Sequence, residues 1–181
     1  MEFDIDVKLE TERLILRYLN KDDTHDIFNN INHDKEVLLF FLDKYCEKEE
    51  EMTLDRTINF CQANKRYLLA IERKDNKEVI GIMLQCSTPS GYFTTSEIGF
   101  AIGRKHWNKG YTTEALNKFI EFLFEEGIHK ITCSHINQNV ASGRVMQKCH
   151  MIYEGERVHD VYWRDQYWNT KYYYLINPRE K

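Results

Sequence analysis

The stretch that decides the fold is residues 97–116, which read EIGFAIGRKHWNKGYTTEAL. Its first part, up to Ile102, is apolar enough to form a strand. The middle is a short basic loop that ends at Gly110. Beyond the glycine, apolar residues recur at helical spacing, as at Leu116 and Phe119. The sequence therefore predicts a strand, a basic loop and a helix in immediate succession.

The start of this helix is a candidate anion-binding site. A helix N-terminus presents unpaired N–H groups and about half a positive charge, and Gly110 permits a positive φ and close approach of a ligand. An ordinary turn with solvated charges is the alternative. The chain has no GxxxxGK[ST] or GxGxxG motif, which excludes those two nucleotide-binding loops. It also lacks the HExxH and GxSxG signatures of many proteases and hydrolases.

The segments on either side predict one mixed α/β domain over residues 1–181. Several antiparallel-looking strands precede the stretch, and a β-α-β-α-β-β series includes and follows it. A helix with Asn139 as its N-cap and a stripe of Ala141, Val145 and Cys149 belongs to that series. Residues 34–64 are the least legible part and are expected to form helices along a groove. The other predicted strands are 13–17, 67–71, 79–84, 130–136, about 151–161 and 167–176.

Composition excludes several classes of protein. The 181 residues carry 25 Lys and Arg against 29 Asp and Glu, a formal charge of −4, which disfavours binding to nucleic acid or anionic membranes. No apolar run reaches the ~20 residues of a membrane span, and the charged N-terminus is unlike a signal peptide. The five cysteines have no zinc-ligand spacing, so no metal is expected. A cytoplasmic protein is the expectation.

Three segments in order resemble the GNAT superfamily of N-acetyltransferases, and within it the RimJ/RimL-like branch. They are Thr11–Arg17 (TERLILR), the stretch 97–116 with its WNKGYTTEAL loop, and residues 139–155. The chain departs from the family pattern at Thr112, where the loop usually has Gly or Ala. It departs again at His150-Met151, where Gly-Phe is usual. A left-handed His150 would carry strain of ~1 kcal/mol.

The resemblance implies a mixed, mostly antiparallel sheet of about seven strands, with splayed central parallel strands flanked by helices. It also implies that acetyl-CoA binds along the splay, its pantetheine on main-chain groups and its diphosphate on the loop amides. The residues implied in cofactor binding are Phe100, Ala101, Ile102, Trp107, Asn108, Lys109, Gly110, Tyr111, Thr112, Thr113, Asn137, Asn139 and Ser142.

The implied reaction is direct attack of an amine on the thioester. Glu97 is the candidate base, with a solvated strand-end carboxylate as the alternative. Ser142 is the candidate donor to the leaving thiolate, although first-turn serines often bond only to backbone. The acceptor is a protein N-terminus or a small-molecule amine, and the protein is a monomer or homodimer. A non-catalytic acyl-CoA-binding module of the same fold remains the alternative function.

Overall fold

The computed structural model describes residues 6–41, 43–92 and 94–179. Its framework is an eight-stranded sheet in the order β1-β2-β3-β4-β5-β6-β8-β7. All neighbouring strands run antiparallel except β5 and β6, which are parallel. The strands are β1 (Lys8–Glu10), β2 (Leu14–Tyr18), β3 (Leu68–Arg73), β4 (Val79–Gln85), β5 (Thr95–Ile102), β6 (Lys130–Ile136), β7 (Ile152–Trp163) and β8 (Gln166–Ile176).

Helices cover both faces of this sheet. They are α1 (Thr24–Ile27), α2 (Leu54–Ala63), α3 (Tyr111–Glu125) and α4 (Val140–Lys148). A π-helical turn continues α1 to Asn32, and short 3₁₀ turns occupy Lys21–Asp23, Val37–Leu39, Glu49–Glu51 and Arg104–His106.

Alternation along β3 shows how the two layers are built, because successive side chains point to opposite faces of a strand. Tyr67, just before β3, packs its ring edge-on against Phe119 and Phe122 of α3. The next residue, Leu68, instead lines a small cavity with Ile27 of α1. Helix α3 therefore covers one face, while α1 and α2 cover the other.

The cap signals in the sequence are confirmed around the long helix. Gly110 and Gly127 flank α3 with φ values of 80° and 82°, in the left-handed region that glycine tolerates. His150, which follows α4, is also left-handed at φ 60°. The sheet also confirms the predicted mixed topology with one parallel pair.

The sheet has eight strands where about seven were expected, because three-residue β1 precedes the predicted first strand. Two expectations about individual elements were wrong. Most of 34–64 consists of 3₁₀ turns and irregular chain, with α2 as its one α-helix among the described residues. In α4 the buried residues are Gly143 and Met146, whereas Ala141 is exposed.

Within the described part of the chain, no helix has both the length and the apolar character needed to cross a membrane.

Candidate active site

The two parallel strands separate in the middle of the sheet. Their ladder pairs Thr95 with Lys130, Ser96 with Ile131 and Glu97 with Thr132, and it goes no further. Beyond that point β5 continues beside β4 as far as Ile102, and β6 continues beside β8 as far as Ile136. A V-shaped gap therefore opens just after Glu97.

The hydrogen-bonding alternation decides which main-chain groups face this gap. In an antiparallel pair, opposed residues are alternately bonded and not bonded. The amide of Cys86 donates to the carbonyl of Glu97, and the amide of Gly103 donates to that of Ile80. Residue Ala101 follows the same alternation, so its main-chain groups point to β4. The groups of Phe100 point instead into the gap.

The basic loop lies at the end of β5 and leads into α3. The Trp107 indole donates to the carbonyl of Ile102 at 2.9 Å, which closes the loop onto the strand it leaves. Asn108 has φ 59° and Gly110 has φ 80°. Gly110 is the N-cap residue of α3, a helix of 15 residues. Because it has no side chain, it accepts no side-chain hydrogen bond from the amides of the first turn.

Helix α4 begins on the β6 side of the gap. The Asn139 carboxamide accepts a hydrogen bond from the amide of Ser142 at 3.2 Å, so it caps the helix. Ser142 itself is half-buried in the first turn. The Oδ1 atom of Asn137 is buried, and the described residues offer it no hydrogen-bond partner.

His135 packs under α4. Its Nδ1 lies 2.8 Å from the carbonyl of Ile136, and its ring stacks on Tyr173 with centroids 5.8 Å apart. Burial lowers the pKa of this imidazole, which is therefore held neutral. These contacts are those of a histidine packed inside the fold.

Glu97 projects to the sheet face opposite α3, where its carboxylate accepts a hydrogen bond from the Ser134 hydroxyl at 2.9 Å. It lines a groove of about 350 Å³ together with residues of β6, β7 and β8. The other carboxylate of this groove, Glu154, is ion-paired with Lys130. Among the described residues, no cation lies within ion-pair distance of Glu97.

The other side of the groove is built by the last two strands. The Arg157 guanidinium lies over the Tyr172 ring at 4.2 Å and donates to its hydroxyl at 3.1 Å. Ser87 and Thr95 also line the groove, whereas no residue of α1 or α2 does so in the described chain.

The family model described as "Acetyltransferase (GNAT) domain" matches residues 13–152. The chain belongs to the GNAT acetyltransferase family. This confirms the resemblance seen in the sequence, and it assigns the protein to the acyltransferases.

Two curated proteins and one solved structure illustrate the GNAT relationship. An uncharacterized N-acetyltransferase of Bacillus subtilis, YoaA, is 29% identical over 174 residues, 95% of this chain and 98% of that protein. The [ribosomal protein uS5]-alanine N-acetyltransferase of Escherichia coli is 24% identical over 169 residues, 88% of this chain and 87% of that one. The latter agrees with the predicted RimJ/RimL-like branch.

The solved structure is the spermidine N-acetyltransferase of Vibrio cholerae, in complex with CoA and spermine. It superposes with a TM-score of 0.78 at 21% identity, covering 92% of this chain and 97% of that chain. At this identity the likeness shows that the two chains share the GNAT fold.

Sequence reasoning overlooked one part of this GNAT site. Ser134, the partner of Glu97, lies 37 positions away and was not singled out. A signal for it exists, because Lys130, Thr132 and Ser134 occupy every second position of β6 and so form a polar face opposite the apolar Ile131 and Cys133.

Proposed function

We propose that this protein transfers the acetyl group of acetyl-CoA to a primary amine, which attacks the thioester directly in a ternary complex. The observation that carries the proposal is the early end of the β5–β6 ladder beside Glu97. It leaves main-chain groups of β5 facing a gap beside a carboxylate that has no cation within ion-pair distance among the described residues, and the same strand leads to the glycine-opened start of α3.

The residues around the gap fit acetyl-CoA. Main-chain groups of Phe100 would bind pantetheine as they would bind an added strand. The buried Oδ1 of Asn137 would accept a hydrogen bond from an N–H group of pantetheine. Ala101 is not assigned this role, because its main-chain N–H and C=O point to β4. The loop amides from Asn108 to Thr113 would hold the diphosphate, with Trp107 closing the loop. When bound, acetyl-CoA supplies an acyl group activated as a thioester.

Glu97 would accept the proton that the attacking amine loses. An α-amine has a pKa of about 7.7–8.0 and a lysine about 10.4, so about one α-amine in ten is neutral at pH 7. One carboxylate without a competing cation suffices for such an acceptor, directly or through a water. Ser134 would hold the carboxylate in place.

Ser142 would assist the other half of the reaction. As the C–N bond forms and the C–S bond breaks, negative charge moves to the departing sulfur. A hydroxyl in the first turn of α4, whose amide is fixed by Asn139, would donate a hydrogen bond to that sulfur. Holding both reactants together contributes the largest part of the rate, on the order of several kcal/mol.

The acceptor would occupy the groove beside Glu97, which carries two carboxylates and two cations. The curated relative acts on a ribosomal-protein alanine by its name, and the solved neighbour is named for spermidine. An alanine N-terminus and spermidine both carry a primary amino group, so the proposal covers a protein N-terminus and a small-molecule amine alike.

The test is release of CoA thiol from acetyl-CoA over a panel of N-terminal peptides, polyamines and aminoglycosides. With the best acceptor, Glu97→Gln is expected to lower kcat about a hundredfold or more while acetyl-CoA affinity stays near normal. Glu121→Gln, on the exposed face of α3, is the matched control and should keep full activity.

Two results would overturn parts of the proposal. Wild-type activity in Glu97→Gln would remove the base assignment but leave the reaction. Tight binding of acetyl-CoA with no thiol release for any amine would indicate the non-catalytic acyl-CoA-binding module instead.

A further inference from the structure

The turn between β1 and β2 is docked on the start of α3 by a cluster that the proposed mechanism does not use. Its centre is the carboxylate of Glu114, in the first turn of α3, and its arms are Thr11 and Arg13 of the turn. One carboxylate oxygen accepts the Thr11 hydroxyl at 2.6 Å and the Arg13 amide at 2.9 Å. The other accepts the guanidinium, Nε at 2.7 Å and Nη2 at 2.6 Å.

The same guanidinium also reaches the proposed diphosphate loop. Its Nη1 donates to the carbonyl of Lys109 at 3.0 Å, and its Cζ lies 4.4 Å from the centroid of the Tyr111 ring. Arg13 therefore contacts the residues immediately before and after Gly110. The guanidinium is held from two sides, by a carboxylate and by an aromatic face.

The positive charge of Arg13 is balanced by the carboxylate of Glu114. The carboxylate is only 18% exposed and takes four donors. Burial raises the pKa of Glu114, but these hydrogen bonds lower it by more, so the pKa lies below its usual value. The pair therefore stays ionised at neutral pH. A guanidinium neutralised in this way attracts a diphosphate weakly, and its effect on the loop is one of geometry.

The direction of the Gly110 N–H follows from the planarity of the peptide bond. The Lys109 carbonyl and the Gly110 N–H belong to one peptide unit, and the described chain has no cis peptide bond. In a trans peptide the two groups point in opposite directions. By holding the carbonyl, Arg13 turns the Gly110 N–H away from itself, to the opposite side of the loop.

We propose that Arg13, anchored by Glu114, is a positioning residue that orients the Gly110 amide, and with it the loop, toward the diphosphate of acetyl-CoA. This inference rests on the proposed function. It also gives a role to the Thr11–Arg17 segment, which sequence reasoning placed only as a strand.

The test compares two acyl donors, acetyl-CoA and S-acetylpantetheine, which lacks the diphosphate and nucleotide. In Arg13→Ala, kcat/KM for acetyl-CoA is expected to fall about ten- to a hundredfold, the range for a lost charge-assisted hydrogen bond. The value for S-acetylpantetheine should stay within about twofold of wild type, because that donor makes no contact with the loop. Calorimetry with CoA and with pantetheine gives the same comparison without turnover.

Arg13→Lys separates geometry from charge. A lysine keeps the positive charge but lacks the planar fork that reaches both Glu114 and the Lys109 carbonyl, so it should behave like Arg13→Ala. Full rescue by lysine would overturn the inference in favour of charge attraction. Arg73→Ala is the matched control. Its guanidinium also lies over the Tyr111 ring, at 5.8 Å, but it has no contact with the loop carbonyl among those described.

The remaining outcomes are distinguishable. Equal losses with both acyl donors would mean that Arg13→Ala merely perturbs the fold, and an unchanged value for acetyl-CoA would refute the role outright. Wild-type protein that neither binds CoA nor releases thiol from acetyl-CoA would overturn the proposed function and this inference together.

Discussion

Replacing Gly143 by alanine should destabilise the protein, although the same change in most helices is stabilising. Gly143 is buried in α4. A Cβ built on it would lie 2.8 Å from Nε2 and 3.2 Å from Cε1 of His135. The imidazole has little room to turn away, because Nδ1 is held by the Ile136 carbonyl and the ring is stacked on Tyr173.

Two opposing effects set the magnitude. Alanine is favoured over glycine inside a helix by ~1 kcal/mol, whereas overpacking a filled site costs ~1–3 kcal/mol. Since the obstacle at Gly143 is a pinned ring, the upper part of that range applies, and the free energy of unfolding should fall by roughly 1.5 kcal/mol. For a chain of this length the melting temperature should drop by roughly 3–6 °C.

A double-mutant cycle with His135→Ala isolates the contact. Thermal and urea unfolding of wild type, the two single variants and the double variant give the coupling between the two positions. Without the imidazole, Gly143→Ala should become stabilising by ~1 kcal/mol. Because Ser142 precedes Gly143, kcat should fall in the single variant as α4 shifts. A higher melting temperature for Gly143→Ala in the wild-type background would refute the steric reasoning.

Two further predictions concern the loop and the pH dependence of stability. Gly110→Val places a β-branched residue at φ 80°, so the dissociation constant for CoA in calorimetry should rise at least about tenfold; an unchanged constant would show that this amide is not used. Burial lowers the pKa of His135 below its unfolded value of about 6.5. The unfolded chain therefore binds the proton more readily than the folded protein does, and stability is lost as pH falls from about 7 to 5. Melting temperatures over that range should show a smaller drop in His135→Gln than in wild type, and equal drops would contradict the argument.

The elements that the sequence predicts well are those whose local signals agree with their packing. Strand β6 has the predicted bounds, and α3 begins after Gly110 and ends before Gly127 as expected. In these segments the apolar period, the glycine caps and the buried face coincide, so no tertiary contact has to override the local preference.

The buried face of α4 shows why sequence reasoning fails elsewhere. An apolar stripe of Ala141, Val145 and Cys149 has helical spacing, but the helix buries Gly143 and Met146 beside Cys149. Glycine contributes nothing to an apolar stripe. It is buried because α4 lies against the His135 ring, and that close approach is a tertiary fact.

The candidate site divides in the same way. The sequence can place Glu97 on a strand and Gly110 before a helix, because both depend on neighbours in the chain. It cannot pair Glu97 with Ser134, nor Arg13 with Glu114, 101 positions away. Residues 34–64 are hardest to read, because their apolar run begins with a three-residue 3₁₀ turn, Val37–Leu39, which is too short to show a periodic pattern.

The gap itself explains why these long-range contacts matter. Strand β5 is committed to β4 as far as Ile102, and β6 to β8 as far as Ile136, so each strand is satisfied on its outer side alone. Main-chain groups such as those of Phe100 then face a space where a strand would normally lie. An extended amide-bearing molecule inserted there would form hydrogen bonds with these groups, as a further strand would. The contact between Gly143 of α4 and the His135 ring fixes this helix against β6, on the other side of the gap.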